Sequence, residues 1–373
     1  MVTRFLFCQK VVKWCYDFVS QRIGFVTESG IITSAYISLR PRIDFNVNYY
    51  VYLFKAMDAM KMFHGLGTGI RLTLSYSDLK NILLPVPPRA EQDRIVQFLD
   101  WKVSAINRLI GIKRKQIATV KALMYARIEK LLYQFPAVET TRLKQLGTFF
   151  KGGGFSRENL VDDETYPAIL YGDIYTQYEY QTATINHHID EQAYNSSRKI
   201  FKGDIVMAGT GETKDEIGKS ILYMGEEIVA VGGDVIAFHP NEDVNAEYLL
   251  YQLYSQNALK HRYINGKGDI IVHIYPVALG NTVIQLPNKT AQFQIVAKID
   301  ETIHGVKKQI EYVSQSISVL QELKTRLIAD TVTGKIDVRN IEIPEYEYVG
   351  EDVGGEDSEA GTDIANNTDY KED

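Results

Sequence analysis

The chain has little of several things that would point to particular functions. It holds two cysteines in 373 residues, Cys8 and Cys15, too few for a disulfide scaffold and in keeping with a reduced, cytoplasmic setting. His187-His188 and those cysteines form no ligand spacing for a metal. No apolar run approaches the ~20 residues of a membrane span, and the first residues lack a basic-then-apolar signal peptide. No Asn/Asp-Pro-Pro-Tyr/Phe sequence of the amino-methyltransferase kind occurs, nor a helicase or nuclease signature. Gly209-Thr210-Gly211 through Gly218-Lys219-Ser220 has the composition of a phosphate-binding loop but not its spacing, since Thr213 stands where a glycine is required. These absences leave no catalytic apparatus to assign to the chain.

Proline is also sparse, with 10 residues, and its distribution is informative. Pro87-Pro88-Arg89-Ala90-Glu91-Gln92 opens a proline-free run to about Tyr133, and Pro287-Asn288-Lys289-Thr290-Ala291-Gln292 opens another to about Asp330. The two runs keep one register: Gln92 matches Gln292, Asp100 matches Asp300, Ile110 matches Ile310 and Ile128 matches Ile328. A repeat this long is a repeat of structure. In the second run Ile295, Ile299, Ile303, Val306, Ile310, Val313, Ile317 and Leu320 advance by fours and threes, a heptad seam that predicts one long helix. Ile95, Leu99, Val103, Ile106 and Ile110 follow the same steps in the first run. Lys113 interrupts them before Ile117, Val120 and Met124 resume. A seam exposed alone is costly, at about 1.5–3 kcal/mol per large apolar side chain, so each helix is the simplest partner for the other. At ~1.5 Å per residue such a helix is a rod of about 70 Å.

The parts around the rods read as mixed α/β. Residues 1–88 alternate like strands, with Gly30 to Pro41 as a strand and turn, Asn46 to Met62 as a helix and His64 to Ser75 as a loop. Between the rods, Ala168 to Ile174, Asp204 to Ala208, Lys219 to Tyr223 and Val229 to His239 read as strands, and Asn245 to Leu259 as a helix. The repeat reaches into this region: Ile37 to Pro41 matches Ile236 to Pro240, and Asn46 to Tyr49 matches Asn245 to Tyr248. Residues 1–88 thus correspond to roughly 200–287, and the counterpart of 140–199 is expected to be missing from the first domain. The expected fold class is α+β, with mixed α/β domains alternating with two long helices that pair as an antiparallel coiled coil.

The charge of −6 is unevenly spread. Residues 342–373 carry twelve acidic residues and one lysine, leaving 40 basic against 35 acidic elsewhere. The remainder is mildly basic, which permits a polyanionic partner. The acidic end reads as a disordered tail, either a solubilising terminus or a competitor for the basic surface.

The order of these pieces resembles the specificity subunits (HsdS) of type I restriction-modification systems. Pro87-Pro88 followed by Glu91-Gln92 and Ile95-Val96 is similar to the start of the family's first conserved helical region. Leu323-Lys324 to Asp330 and Thr333-Gly334-Lys335 are similar to the end of the second. Leu146-Gly147, Lys151-Gly152-Gly153, Tyr171-Gly172-Asp173-Ile174, Lys202 to Val206, Thr210-Gly211 and Ile217-Gly218-Lys219 follow the pattern of a target-recognition domain in order. The resemblance spans about residues 20–340. It implies a partial first target-recognition domain at 1–88, a first helical spacer at 89–135, a complete second recognition domain at 140–287, a second spacer at 288–340 and the tail at 341–373. It further implies a non-catalytic subunit that reads a bipartite sequence in double-stranded DNA, about 20 bp matching the rod at ~3.4 Å per base pair. The implied partners are two methyltransferase (HsdM) subunits, which use S-adenosylmethionine, and a restriction (HsdR) subunit, which uses ATP and magnesium; no cofactor is expected in this chain.

Loop residues able to reach DNA are the candidate site. Lys151-Gly152-Gly153-Gly154-Phe155-Ser156-Arg157 is either a flexible connection or a basic turn whose main-chain N–H groups approach phosphate, with Arg157 a possible reader of guanine. Arg71, Tyr171, Arg198, Lys199, Thr210, Lys214, Asn265, Lys267 and His273 complete the set with Lys151, Ser156 and Arg157. The other readings of the chain are a coiled-coil adaptor whose globular parts bind protein and a truncated specificity subunit without function.

Overall fold

The computed structural model describes residues 2–3, 12–15, 23–25, 36–39, 44–63, 76–134, 139–162 and 165–350. The first part of the chain contains β1 (Val2–Thr3), β2 (Val12–Cys15), β3 (Ile23–Phe25), β4 (Tyr36–Ser38), α1 (Val47–Ala59), α2 (Tyr76–Leu79), β5 (Leu84–Pro85) and the long helix α3 (Arg89–Leu132). The middle holds β6 (Glu139–Arg142), β7 (Gly147–Lys151), β8 (Leu160–Val161), β9 (Pro167–Ile169), α4 (Tyr171–Thr176), β10 (Gln181–Thr182), β11 (His187–Ile189), α5 (Glu191–Ser196) and β12 (Lys199–Ile200). It continues with β13 (Ile205–Ala208), β14 (Thr210–Gly211), β15 (Ser220–Tyr223), β16 (Val229–Val231) and β17 (Val235–Pro240). After α6 (Ala246–Leu253), α7 (Gln256–Asn265), β18 (Val272–His273), α8 (Pro276–Gly280) and β19 (Val283–Leu286) comes the second long helix, α9 (Lys289–Val332). No described helix is long and apolar enough to cross a membrane.

Two compact units form: described residues up to Ala118 with those from Gln309 onward make one, and Thr119–Lys308 the other. In the first, Ile95, Val96, Leu99 and Val103 at the start of α3 share a core with Ile328 and Val332 at the end of α9. In the second, Met124, Ile128, Leu131 and Leu132 at the end of α3 pack with Ile295, Val296, Ile299 and Ile303 at the start of α9. Start meets end in each unit, so the long helices pair antiparallel. The seam residues predicted from the heptad are those buried at these ends, and Lys113 is half-buried where the seam was read as interrupted.

The second unit explains its sequence well. One five-stranded sheet runs β10-β15-β13-β17-β7, and a second runs β12-β16-β9-β11-β8. Ile205, Met207, Leu222, Ile236 and Phe238 bury one face of the first sheet against Leu249, Leu250 and Leu253 of α6. Val206, Ala208, Ile221, Val235 and Ala237 bury the other face with Ile169, Val229 and Val231 of the second sheet. Strands covered on both faces need no polar alternation, which is why 205–208 and 235–238 are unbroken apolar runs. Two expectations are corrected here. Tyr171-Gly172-Asp173-Ile174 is helical, because Asp173 accepts a hydrogen bond from the Leu170 N–H at 2.8 Å and turns the chain at the end of β9. The helix expected over Asn245 to Leu259 is two helices, since Ser255 accepts from the Ala258 N–H and caps a new start.

The internal repeat is visible as repeated bonding. In the first unit the Gln92 Oε1 accepts from the Asn46 N–H at 2.8 Å while its Nε2 donates to the Pro87 carbonyl at 2.8 Å. In the second, Gln292 accepts from the Asn245 N–H and donates to the Pro287 carbonyl, both at 2.9 Å. Tyr52 donates to Asp100 at 2.7 Å, and Tyr251 to Asp300 at 2.6 Å. Each long helix is thereby locked to the short helix of its own globular part. The sheets repeat too: β2 lies between β3 and β4 as β13 lies between β15 and β17, with Trp14 opposite Ile37 where Met207 is opposite Ile236. β1 pairs with β5, Thr3 opposite Leu84 and Val2 opposite Pro85, as Thr141 and Thr140 of β6 pair with Ile284 and Gln285 of β19. A counterpart of β6 therefore exists, and among the described residues the stretch without one corresponds to the run from β6 to β13.

The tail expected to be disordered from residue 341 is, over 341–350, an extended strap on α3. Arg94 donates to the Ile341 carbonyl, the buried Ser104 Oγ accepts from the Val349 N–H at 3.0 Å, and Asn107 Nδ2 donates to Val349 and Gly350 at 3.0 and 3.1 Å. Ile341 and Ile343 pack on the core of this unit, and Glu347 pairs with Arg108 at 2.7 Å. Its composition hid this, because the residues that fix it belong to α3. The acidic residues from 351 onward, the loop read at His64 to Ser75, and Arg71 lie outside the described residues.

Candidate nucleic-acid interface

The candidate residues of the second unit fall into two groups joined by α4. The first surrounds the glycine turn after β7. Gly152 lies so close to the chain that a Cβ there would sit 2.2 Å from the Gly232 carbonyl oxygen, so only glycine fits. Of the two readings of this turn, a flexible connection or main-chain N–H groups offered to phosphate, the second does not hold at its first two glycines: the Gly152 N–H donates to the Val235 carbonyl and the Gly153 N–H to the Val231 carbonyl, at 2.8 and 3.0 Å. The glycines hold the turn down, and the side chains around it are what face solvent. Lys151 is half exposed and pairs with Asp234 at 3.2 Å. Arg198 is exposed, with its guanidinium 6.0 Å from the Phe150 ring centre. The exposed Arg157 lies against Gly172, where a Cβ would stand 3.2 Å from its Nη2, and Tyr171 beside it is 40% exposed.

Two members of this group are committed elsewhere. Ser156 caps the turn at Arg157–Asn159 by accepting from the Glu158 N–H at 3.4 Å. The Lys199 Nζ donates to the carbonyls of Tyr194 and Ser197, the latter at 2.6 Å, and sits 4.3 Å over the Tyr194 ring. Desolvation holds its pKa below the usual lysine value. Lys199 is thus tied to the fold rather than presented.

The second group stands on the two-stranded ribbon of β14 and β18. Thr210 is buried, and its Oγ1 lies 2.9 Å from the His273 Nδ1, which fixes the half-exposed ring. Lys267 is exposed and its main chain exchanges two hydrogen bonds with His273, at 2.9 and 2.8 Å. Asn265 ends α7 and donates to the His261 carbonyl at 2.8 Å. Lys214 is half-buried in the loop between β14 and β15, among the exposed Glu212, Asp215 and Glu216. This group is therefore mixed in charge, whereas the first carries a surplus of cations.

Sequence reasoning missed two residues that organise the second group. Arg262 is buried and donates to the Gly218 carbonyl at 2.6 Å and to the Ser220 Oγ at 3.2 Å, while its own carbonyl accepts from the Gly266 N–H. It ties the 212–219 loop to the α7–β18 turn, and burial pushes its pKa down. Tyr175 of α4 donates to the Glu216 carbonyl at 3.4 Å, and its own carbonyl accepts from Lys219 at 3.1 Å. Desolvation raises its pKa strongly. Only tertiary packing marks either residue, since an arginine and a tyrosine on short helices carry no motif.

The family model for the type I restriction modification DNA specificity domain matches residues 25–121 and 137–312, once for each half of the repeat. The chain belongs to that family. It is a DNA-specificity subunit of the type I restriction-modification kind. A solved structure described as the structural basis of complex assembly and conformational transition of the type I R-M system shares its fold, with TM-score 0.63 and 16% identity over 82% of this chain and 75% of that one. The HsdS subunit from Thermoanaerobacter tengcongensis matches at 15% identity over 82% and 74% of the two chains, with TM-score 0.43. The type I S subunit from M. genitalium matches at 14% over 88% and 84%, with TM-score 0.36. No curated protein sequence matches this chain.

Proposed function

We propose that the second globular part reads one half of a bipartite DNA target through its two groups, and that the first part reads the other half. The observation that carries this is the gathering of Lys151, Arg157, Tyr171 and Arg198 around a turn too tight for any residue but glycine. Cations on a rigid turn neutralise phosphates and fix register. A guanidinium on such a turn reaches guanine O6 and N7, and a Thr–His pair whose geometry is fixed reads base edges. The antiparallel helices act as the spacer between the half-sites. They dock two methyltransferase subunits, which take the target adenine out of the stack and carry S-adenosylmethionine; a restriction subunit brings ATP and magnesium. In this reading the chain itself is non-catalytic, holds no cofactor and works in the cytoplasm.

The test is co-expression with the methyltransferase subunit, methylome sequencing to find the motif, and binding of that duplex across a salt series. A phosphate contact by Arg198 predicts that Arg198→Ala lowers the salt slope by about 1 without changing the motif. A base contact by Arg157 predicts that Arg157→Ala relaxes one position, at about 1–3 kcal/mol. Binding with no sequence preference and no salt dependence would mean an adaptor instead.

A further inference from the structure

The turn that joins α7 to β18 carries more exposed apolar surface than its fold requires. Ile270 is 88% exposed and Ile271 56%, and Val277 and Tyr275 just beyond are 79% and 50% exposed. Single exposed apolar residues are ordinary, but a contiguous group marks a surface that meets something. The tip is not loose chain. Val272 and Ile274 are buried in the core of the second unit and anchor its returning side. Lys267 and His273 bond across its base in both directions. Gly268 holds φ +112°, and a Cβ there would lie 2.0 Å from the Ile271 carbonyl oxygen, so the turn admits only glycine. Two isoleucines are thus held out on a stiff, narrow support. That support is the strand carrying His273, with Lys267 at its base, so the apolar tip is continuous with the second group of the candidate interface.

We infer that Ile270, backed by Ile271, is a wedge that enters the DNA at a base step of the half-site read by the second unit and unstacks it. Apolar wedges of this kind are a recurring way to kink a duplex and so bring more protein surface to it. Continuity favours this occupant: the tip rises from the strand that carries His273, with Lys267 bonded across its base, and these are residues of the candidate interface. The exposed carboxylates of Asp269 beside Ile270 and of Glu212, Asp215 and Glu216 on the neighbouring loop are repelled by phosphates, so the tip must meet the base stack rather than the backbone. Wedging also gives sequence preference without a base contact, because pyrimidine–purine steps unstack most easily. The inference rests on the DNA-reading function proposed above.

The experiment uses the full chain in complex with its methyltransferase subunit and duplexes carrying the motif found by methylome sequencing. 2-Aminopurine is placed at each step of the half-site in turn. Wild type is expected to raise fluorescence at one step other than the target adenine. The variant Ile270→Ala/Ile271→Ala is expected to lose that signal while keeping the signal at the target adenine. A mismatch at that step removes the unstacking cost; it should tighten wild-type binding and leave the double variant unchanged. Lys267→Ala serves as a control on the same turn, weakening binding while the fluorescence persists in the bound state. If specific binding remains and the signal is the same with and without the isoleucines, the wedge is refuted and DNA reading stands. Loss of the methyltransferase subunit from the double variant would likewise refute it, in favour of a protein-docking tip. If wild type binds no sequence preferentially, the underlying function fails with it.

Discussion

Gln292 offers a quantitative check on how the recognition domain is fixed to its helix. Its side chain is 2% exposed and spans two main-chain groups, the Asn245 N–H and the Pro287 carbonyl, each at 2.9 Å. Both groups lie where the chain changes direction, at the cap of α6 and at the entry to α9. Gln292→Met keeps the length and volume of the side chain and removes both hydrogen bonds. Each bond contributes about 0.5–1.5 kcal/mol net, and a buried partner left unsatisfied costs about 1–3 kcal/mol. Some relaxation toward water at the chain entry reduces the sum, so we expect roughly 2–4 kcal/mol in the stability of this unit. Two readouts separate that from a general effect. Urea unfolding gives the loss, and native-state hydrogen exchange at the Asn245 amide should accelerate by the corresponding factor of about 30–1,000. Gln92→Met is the internal duplicate and should behave alike at Asn46, whose N–H meets Gln92 at 2.8 Å. A change below about 0.5 kcal/mol, with unaltered exchange at Asn245, would refute the idea that the glutamine locks domain to helix.

Three further outcomes are expected. Ending the chain at Asn340 removes the strap, exposing the Ser104 Oγ and Asn107 and stripping the partly buried Ile341 and Ile343; a loss of roughly 2–4 kcal/mol from the first unit should appear as faster hydrogen exchange over 94–108, and unchanged exchange would mean that the strap is not held. Asp204 is buried and desolvation raises its pKa above the ordinary aspartate value, with the Phe201 N–H and His239 bonds opposing this in part. Its protonated form is therefore favoured by folding, so its contribution is full below the unfolded pKa and is lost as pH rises through the folded one. Relative to Asp204→Asn, the wild type should lose stability from about pH 4 upward, checked by urea midpoints across pH; the opposite slope would overturn the assignment. Gly152→Ala must push the turn off the Gly232 carbonyl, so it should disorder the Lys151–Arg157 group and weaken DNA binding, whereas Gly153→Ala, where nothing lies within 4 Å of a Cβ, should do neither; equal effects of the two would argue against close packing as the cause.

Much of this was legible from order along the chain, because a heptad and a 200-residue repeat are one-dimensional signals. The long helices, their antiparallel pairing and the identity of the family followed from Pro87 and Pro287, the isoleucine seam and the matched glutamines. Composition also served well where burial alone sets it, as in the apolar strands at 205–208 and 235–238. What the sequence could not supply was any role set by a partner distant along the chain. Lys199 looked like Arg198 until the carbonyls of Tyr194 and Ser197 claimed its ammonium group. Glycines 152 and 153 looked like a phosphate cradle until Val235 and Val231 took their N–H groups. Residues 341–350 looked like solvated tail until Ser104 and Asn107 gave them a surface. Arg262 and Tyr175 carried no motif, and only the loops they hold reveal them. Local periodicity determines which elements form. Which polar groups stay free to meet DNA is decided by hydrogen-bond partners that only the folded chain brings near.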